Sequence, residues 1–148
     1  MNDLRAANSH RQPEFCLNQA ACLFHMLQST KEPHLLLASD STGKVVFIGA
    51  DPNAPLVVRA AKVPGLTHSE SALAMVSQYQ SDFGLRDAES ELQLLSENQV
   101  EDRNITRFQQ VYKGIPVIAG ELVVNATVSA GLLSLSGEIA PDLNINPK

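Results

Sequence analysis

No run of apolar residues in this 148-residue chain approaches the roughly 20 that a membrane-spanning helix needs. Basic residues are few: 11 lysines and arginines stand against 16 acids, a net charge of −5. They are scattered singly, which excludes a phosphate-tracking nucleic-acid surface. No basic-then-apolar stretch follows Met1. The chain therefore reads either as cytoplasmic or as one whose signal has been removed. Cysteines number two, Cys16 and Cys22. His25 lies near them, but no fourth ligand follows at zinc-site spacing, so no metal site is expected. If the segment around them is helical, six residues rise about 9 Å, more than a disulfide spans.

Catalytic signatures are missing as well. There is no Gly-x-Ser-x-Gly elbow, no His-Glu-x-x-His, no Walker loop and no Gly-x-Gly-x-x-Gly. His10, His25, His34 and His68 stand in contexts that fix no role for them. Glu101 and Asp102 are adjacent acids in a turn, where a solvated loop is the simpler reading. Tyr112 and Asp82 are the faint candidates left for an enzyme built on a helix-covered sheet. No catalytic residue and no cofactor are expected.

What remains is a globular composition, 44% hydrophobic and 18% charged, enough for one domain or two small ones. Phe15 to Gln28 has apolar residues at spacings of three and four, which predicts a helix. His34 to Ser39 and Lys44 to Gly49 flank the polar loop Asp40-Ser41-Thr42-Gly43, a hairpin pattern. Thr67-His68-Ser69-Glu70 has the form of a capping box. The helix it opens runs to about Asp82, with Leu73, Val76, Tyr79, Gln80 and Phe83 on one face, and Gly84 fits its left-handed cap.

From Glu91 the period changes to two. Leu92, Leu94 and Ser96 alternate with Gln93, Leu95 and Glu97. Glu101 to Asn104 make a turn, and Ile105 to Tyr112 place Phe108, Gln110 and Tyr112 on one side. Lys113-Gly114 reads as a two-residue hairpin loop. Ile115-Pro116 opens the next strand, where Leu122, Val124, Ala126 and Val128 share a face, and Ser129-Ala130-Gly131 turns into Leu133, Leu135, Gly137 and Ile139. These four strands predict an antiparallel meander with one apolar face, which the helix would cover. The expected fold class is α+β: an amphipathic helix on a curved antiparallel sheet, a cystatin-like plan. Residues 1–60 are expected to form a smaller helix-and-hairpin unit, and 61–148 the main unit, or the two run together as one domain.

One stretch is distinctive: Arg107-Phe108-Gln109-Gln110-Val111-Tyr112-Lys113-Gly114-Ile115-Pro116-Val117-Ile118-Ala119-Gly120-Glu121. It resembles the central motif of the fungalysin/thermolysin propeptide (FTP) domain, Arg-Tyr-x-Gln-x-Tyr-x-Gly-Val-Pro-Val-x-Gly-Gly-Glu. The resemblance runs back through the helix ending in Phe83-Gly84-Leu85 and forward through Leu133 to Ile139, about residues 66 to 145. Three positions depart from it. Ile105 and Asn125 stand where the family often carries histidine, and Ala119-Gly120 replaces a Gly-Gly pair.

The resemblance implies a non-catalytic propeptide of a secreted thermolysin-like zinc metallopeptidase, an intramolecular chaperone and inhibitor whose partner is the peptidase of the same precursor. It implies neither nucleic acid nor membrane as partner. Family precursors continue into a second propeptide unit and then the peptidase, so this chain reads as an excised fragment or a stand-alone relative. Arg107, Gln110, Tyr112, Gly114, Pro116, Gly120 and Glu121 are the motif residues, with framework roles favoured over partner contact. Gln110 is expected to turn inward and bond backbone, and Arg107 and Glu121 to pair across the hairpin. The alternative function is a free-standing binding or protease-inhibitor module of cystatin-like shape. Gln109 to Gly114 comes within one residue of the Gln-x-Val-x-Gly cystatin loop. Asn104-Ile105-Thr106 and Asn125-Ala126-Thr127 have the form of glycosylation sequons.

Overall fold

A computed structural model describes residues 35–141, 143 and 144. The predicted helix over Phe15 to Gln28, both cysteines, His10, His25 and His34 lie outside the described residues. The chain enters as β1 (Leu36–Ser39) and β2 (Val45–Gly49), joined by the expected loop. There the Asp40 carboxylate accepts the Thr42 hydroxyl and the amides of Thr42 and Lys44. The Thr42 hydroxyl bond is the main reason its pKa lies below the usual carboxylate value.

The two-residue strand β3 (Leu56–Val57) and a 3-10 turn (Arg59–Lys62) lead to the helix α1 (His68–Phe83). Thr67 caps it. Its hydroxyl accepts the Glu70 amide while the Glu70 carboxylate takes the Thr67 amide and hydroxyl. These bonds, the Thr67 amide foremost, hold the Glu70 carboxyl below its ordinary range. At the other end Gly84 adopts φ 85° and closes the helix.

The one-turn helix α2 (Ala88–Glu91) precedes four long strands: β4 (Leu92–Val100), β5 (Arg103–Tyr112), β6 (Ile115–Thr127) and β7 (Gly131–Glu138). The meander and its turns therefore appear where the period-two pattern predicts them. All pairings are antiparallel, in the order β1-β2-β7-β6-β5-β4, with β3 bonded to the start of β7. After β2 the chain crosses to the far edge of the sheet through α1. It then returns strand by strand until β7 lies against β2. The first hairpin thus continues the sheet of the meander, Phe47 opposite Ser136 and Ile48 opposite Leu135. The result is the expected α+β class, helices packed on an antiparallel sheet of seven strands.

The core lies between α1 and the sheet. Ala72, Met75, Val76 and Phe83 from the helix meet Ile48, Phe108, Leu122, Val124, Leu132 and Leu135 from the strands. The buried helix face includes Val76 and Phe83 of the predicted one, with Leu73 and Tyr79 partly buried against the core, and adds Ala72 and Met75. Leu73 lines a groove with Ala60, Val63 and Leu66 of the preceding segment. The Gln80 side-chain oxygen accepts the amide of Ala88 and so caps α2 at 2.9 Å. Small Ala72 and Ser71 face inward because the 3-10 turn packs closely there, Ser71 donating to the Ala61 carbonyl at 2.7 Å.

Two other expectations shift. Strand β4 slips register between Leu94 and Ser96, so alternation reverses at Leu95, and both leucines are half exposed at the sheet edge. Arg103 and Asn104, expected in a turn, already belong to β5, because Glu101, at φ 55°, and Asp102 complete the reversal between Val100 and Arg103. Asn104 is buried with no partner for its side-chain oxygen, and Asn125 carries a second such oxygen. The first sequon is thus closed in the fold.

Candidate functional site: the β5–β6 hairpin

The motif singled out in the sequence folds into the longest hairpin of the sheet. Its loop, Lys113 and Gly114, has φ 50° and 78°, the mirror-image turn that matches the twist of the flanking strands. Tyr112 pairs with Ile115, and the Lys113 ammonium lies 5.2 Å from the Tyr112 ring centre. A side chain at Gly114 would meet nothing within 4 Å, so only the backbone demands glycine there. Gly114→Val is expected to lower stability by about 1 kcal/mol or more, read from urea midpoints. An unchanged midpoint would refute the turn geometry.

Above the loop the ladder is interrupted. Val111 pairs with Pro116 and Gln109 with Glu121, so Val117, Ile118, Ala119 and Gly120 all stand opposite the single residue Gln110. Pro116 opens β6 in an exposed position. The four-residue bulge needs Ala119 at φ 62°. It also needs no side chain at position 120, where a Cβ would fall 2.7 Å from the Gln110 side-chain oxygen and 2.8 Å from Gln110 Cβ. Gln109 holds the bulge from within. Its side-chain amide donates to the carbonyls of Val117 at 2.8 Å and Gly120 at 2.7 Å. Sequence reasoning places Gln109 only at the start of the near-cystatin stretch and assigns it no bond within the hairpin. The signal that could have found it is its place four residues before the Lys113-Gly114 loop, next to the Gln110 that stands opposite Val117 to Gly120.

Gln110 is fully buried. It does bond backbone, as its inward position predicts, but the backbone belongs to the segment after β7. Its amide nitrogen donates to the Ala140 carbonyl at 2.8 Å, and its oxygen accepts the Ala140 amide at 2.9 Å. One side chain thus imitates a strand partner. Lys44 donates to the neighbouring Ile139 carbonyl at 2.7 Å, and Pro141 sits so close to Gly84 that a Cβ there would be 3.0 Å from it. The segment is held at three successive residues.

Arg107 and Glu121 form the ion pair expected across the hairpin. It is partly exposed, so its contribution is at most about 1 kcal/mol. Ile105 and Asn125, the two positions that depart from the histidine pattern, are direct cross-strand partners. Any imidazole pair at that place is replaced here by an aliphatic group and an amide. Arg107, Gln110, Tyr112, Gly114, Pro116, Gly120 and Glu121 all belong to this one hairpin. Among the described residues no three histidines, cysteines or acids come close enough to hold a metal ion, and no helix is long and apolar enough to cross a membrane.

Compared with known families, residues 90–139 match the model described as Fungalysin/Thermolysin Propeptide Motif. No curated protein and no solved structure matches the chain. The match begins in α2 and ends just past β7, and it contains the whole hairpin, its bulge and its ion pair. Over Ser90 to Ile139 the chain is thus similar to the fungalysin/thermolysin propeptide motif.

Proposed function

We propose that the chain is the non-catalytic propeptide of a secreted thermolysin-like zinc metallopeptidase, and that it binds the peptidase of its own precursor, assists its folding and keeps it inactive. The family match over β4 to β7 carries this reading. A propeptide that binds the native-like peptidase but not the unfolded one shifts folding by mass action, and the same contact can block the cleft. Neither task needs a nucleophile in the propeptide. Within this reading Gln110, Gly114 and Gly120 serve the framework. Arg107, Tyr112, Pro116 and Glu121 keep exposed surface and remain able to touch the peptidase.

The cystatin-like inhibitor is the weaker reading. The side chain of Gln109, the residue that would open such a loop, is already bonded to the carbonyls of the bulge.

The experiment mixes the 148-residue chain with mature thermolysin and, separately, with papain, and measures both activities. Slowed thermolysin and unaffected papain are expected. Inhibition of papain alone would favour the cystatin-like reading, and no effect on thermolysin would remove the propeptide one.

A further inference from the structure

The end of β5 remote from the Lys113-Gly114 loop holds a buried polar group that the fold leaves unsatisfied. Asn104 is only 6% exposed, and among the described residues nothing bonds its side-chain oxygen. It stands opposite Ala126 in the ladder, on the sheet face that α1 covers. There it lines a recess of about 20 Å³ beside the start of α1, walled by Ala72, Met75 and Ala126. That is room for one water-sized group. His68, Ser71, Val128 and Ala130 line both this recess and a wider chamber of about 410 Å³, so the two spaces adjoin. A buried acceptor without a partner costs stability, and an aliphatic side chain would suit these walls better.

We propose that recess and chamber form a binding site for a small neutral molecule ending in a hydroxyl on a slim aliphatic stem, the hydroxyl donating to the Asn104 oxygen. The walls dictate this chemistry. The free group is an acceptor, so the ligand must donate. The Ser71 hydroxyl cannot serve Asn104 instead, because it already donates to the Ala61 carbonyl at 2.7 Å. The recess admits a tip of one heavy atom, which excludes a guanidinium, a carboxamide or a ring. An ammonium is small enough, but it would bring three N–H groups and a full charge to a single unpaired acceptor between apolar walls. Lys62 lines the outer chamber and repels a cation further. An ionised carboxylate offers no donor at all. Val63, Leu66 and Val128 give the chamber an apolar side for the stem. At its mouth His68 Nδ1 lies 3.6 Å from the Glu97 carboxylate, which steadies the ring. The site is independent of the propeptide reading, since neither the motif hairpin nor a peptidase takes part in it.

The test titrates the 148-residue chain with 1-butanol, with its isomer diethyl ether, which has no donor, and with butylammonium. Nuclear magnetic resonance follows the Asn104 side-chain amide and the Ala130 backbone amide. Butanol should bind about fivefold or more tightly than either of the others. Asn104→Leu should lower butanol affinity to that of the ether and leave the melting temperature equal or higher, because it removes an unpaired polar group. Val128→Phe, at a half-exposed position of the mouth, should weaken butanol and ether alike without altering melting. If butanol and ether bind equally, or neither binds, water is what satisfies Asn104 and the inference falls. Tighter binding of the ether would mean that Asn104 presents its N–H groups, and tighter binding of butylammonium that the site takes a cation; either overturns the hydroxyl class. A lower melting temperature in Asn104→Leu would mean that the oxygen is bonded within the fold, which overturns it too. Butanol binding unchanged in Val128→Phe would place the ligand elsewhere.

Discussion

Gly137→Ala is expected to remove about 3 kcal/mol or more of stability, the largest effect of any single methyl group in this fold. Gly137 lies in β7 opposite Leu122 of β6, with φ 149°. A Cβ built there would run into the Glu121 carbonyl oxygen and stand 2.9 Å from Leu122 Cα. Those are backbone atoms in the middle of a sheet, so no side chain can swing aside to make room. The alanine would have to push β6 away from β7 beside the Arg107–Glu121 pair and just ahead of the segment that Gln110 holds. Urea denaturation followed by circular dichroism measures the loss. Ser136→Ala, one residue earlier and without any such approach, should stay within about 0.5 kcal/mol of the parent. Equal midpoints for both variants would show that the strands are not this close.

The contrast between Gly137 and Gly114 separates constraints that are local in sequence from those that are not. Gly114 follows Lys113 between two alternating runs, and a two-residue loop in that place demands positive φ from local chemistry alone. Gly137 belongs to an alternating strand like any other residue. Its constraint comes from the backbone of a strand 16 positions earlier, and no local pattern carries that. The capping box at Thr67 and the cap at Gly84 are legible for the same reason as Gly114, since their partners lie within a few residues.

Apolar spacing finds Val76 and Phe83 on the buried helix face but misses Ala72 and Ser71, because periodicity counts apolar residues without regard to size. Ala72 and Ser71 are small enough to lie under the 3-10 turn, and Leu73 finds a second apolar neighbourhood at Val63 and Leu66. In β4 only Leu92 is buried, and Leu94 and Leu95 flank a bulge at the sheet edge, an extra residue that the sequence does not mark. The hairpin itself is legible as a motif, and its turn, its ion pair and the inward Gln110 follow from the residue types and their alternation. The bulge does not, because it takes four residues of β6 against one of β5, and period-two reasoning has no place for such a ratio.

Gln110→Ala is expected to cost about 3 kcal/mol, from two bonds lost and two backbone groups of Ala140 left without partners. The cost has a location as well as a size. Gln110 joins the base of the bulge to the segment after β7, so its loss should loosen Ala140 first. Hydrogen exchange at the Ala140 amide should then speed up at least tenfold, while the amides of α1 keep their protection up to global unfolding. Gly120→Ala attacks the same clamp from the other side, since its new Cβ would press on the Gln110 oxygen and Cβ. Each variant removes part of what the other depends on, so the double variant should lose less than the sum of the two single losses, by about 1 kcal/mol. Strict additivity would mean that the bulge and the Ala140 clamp are independent devices. Unaltered exchange at Ala140 in Gln110→Ala would mean that Lys44 and the Pro141–Gly84 contact hold the segment without it.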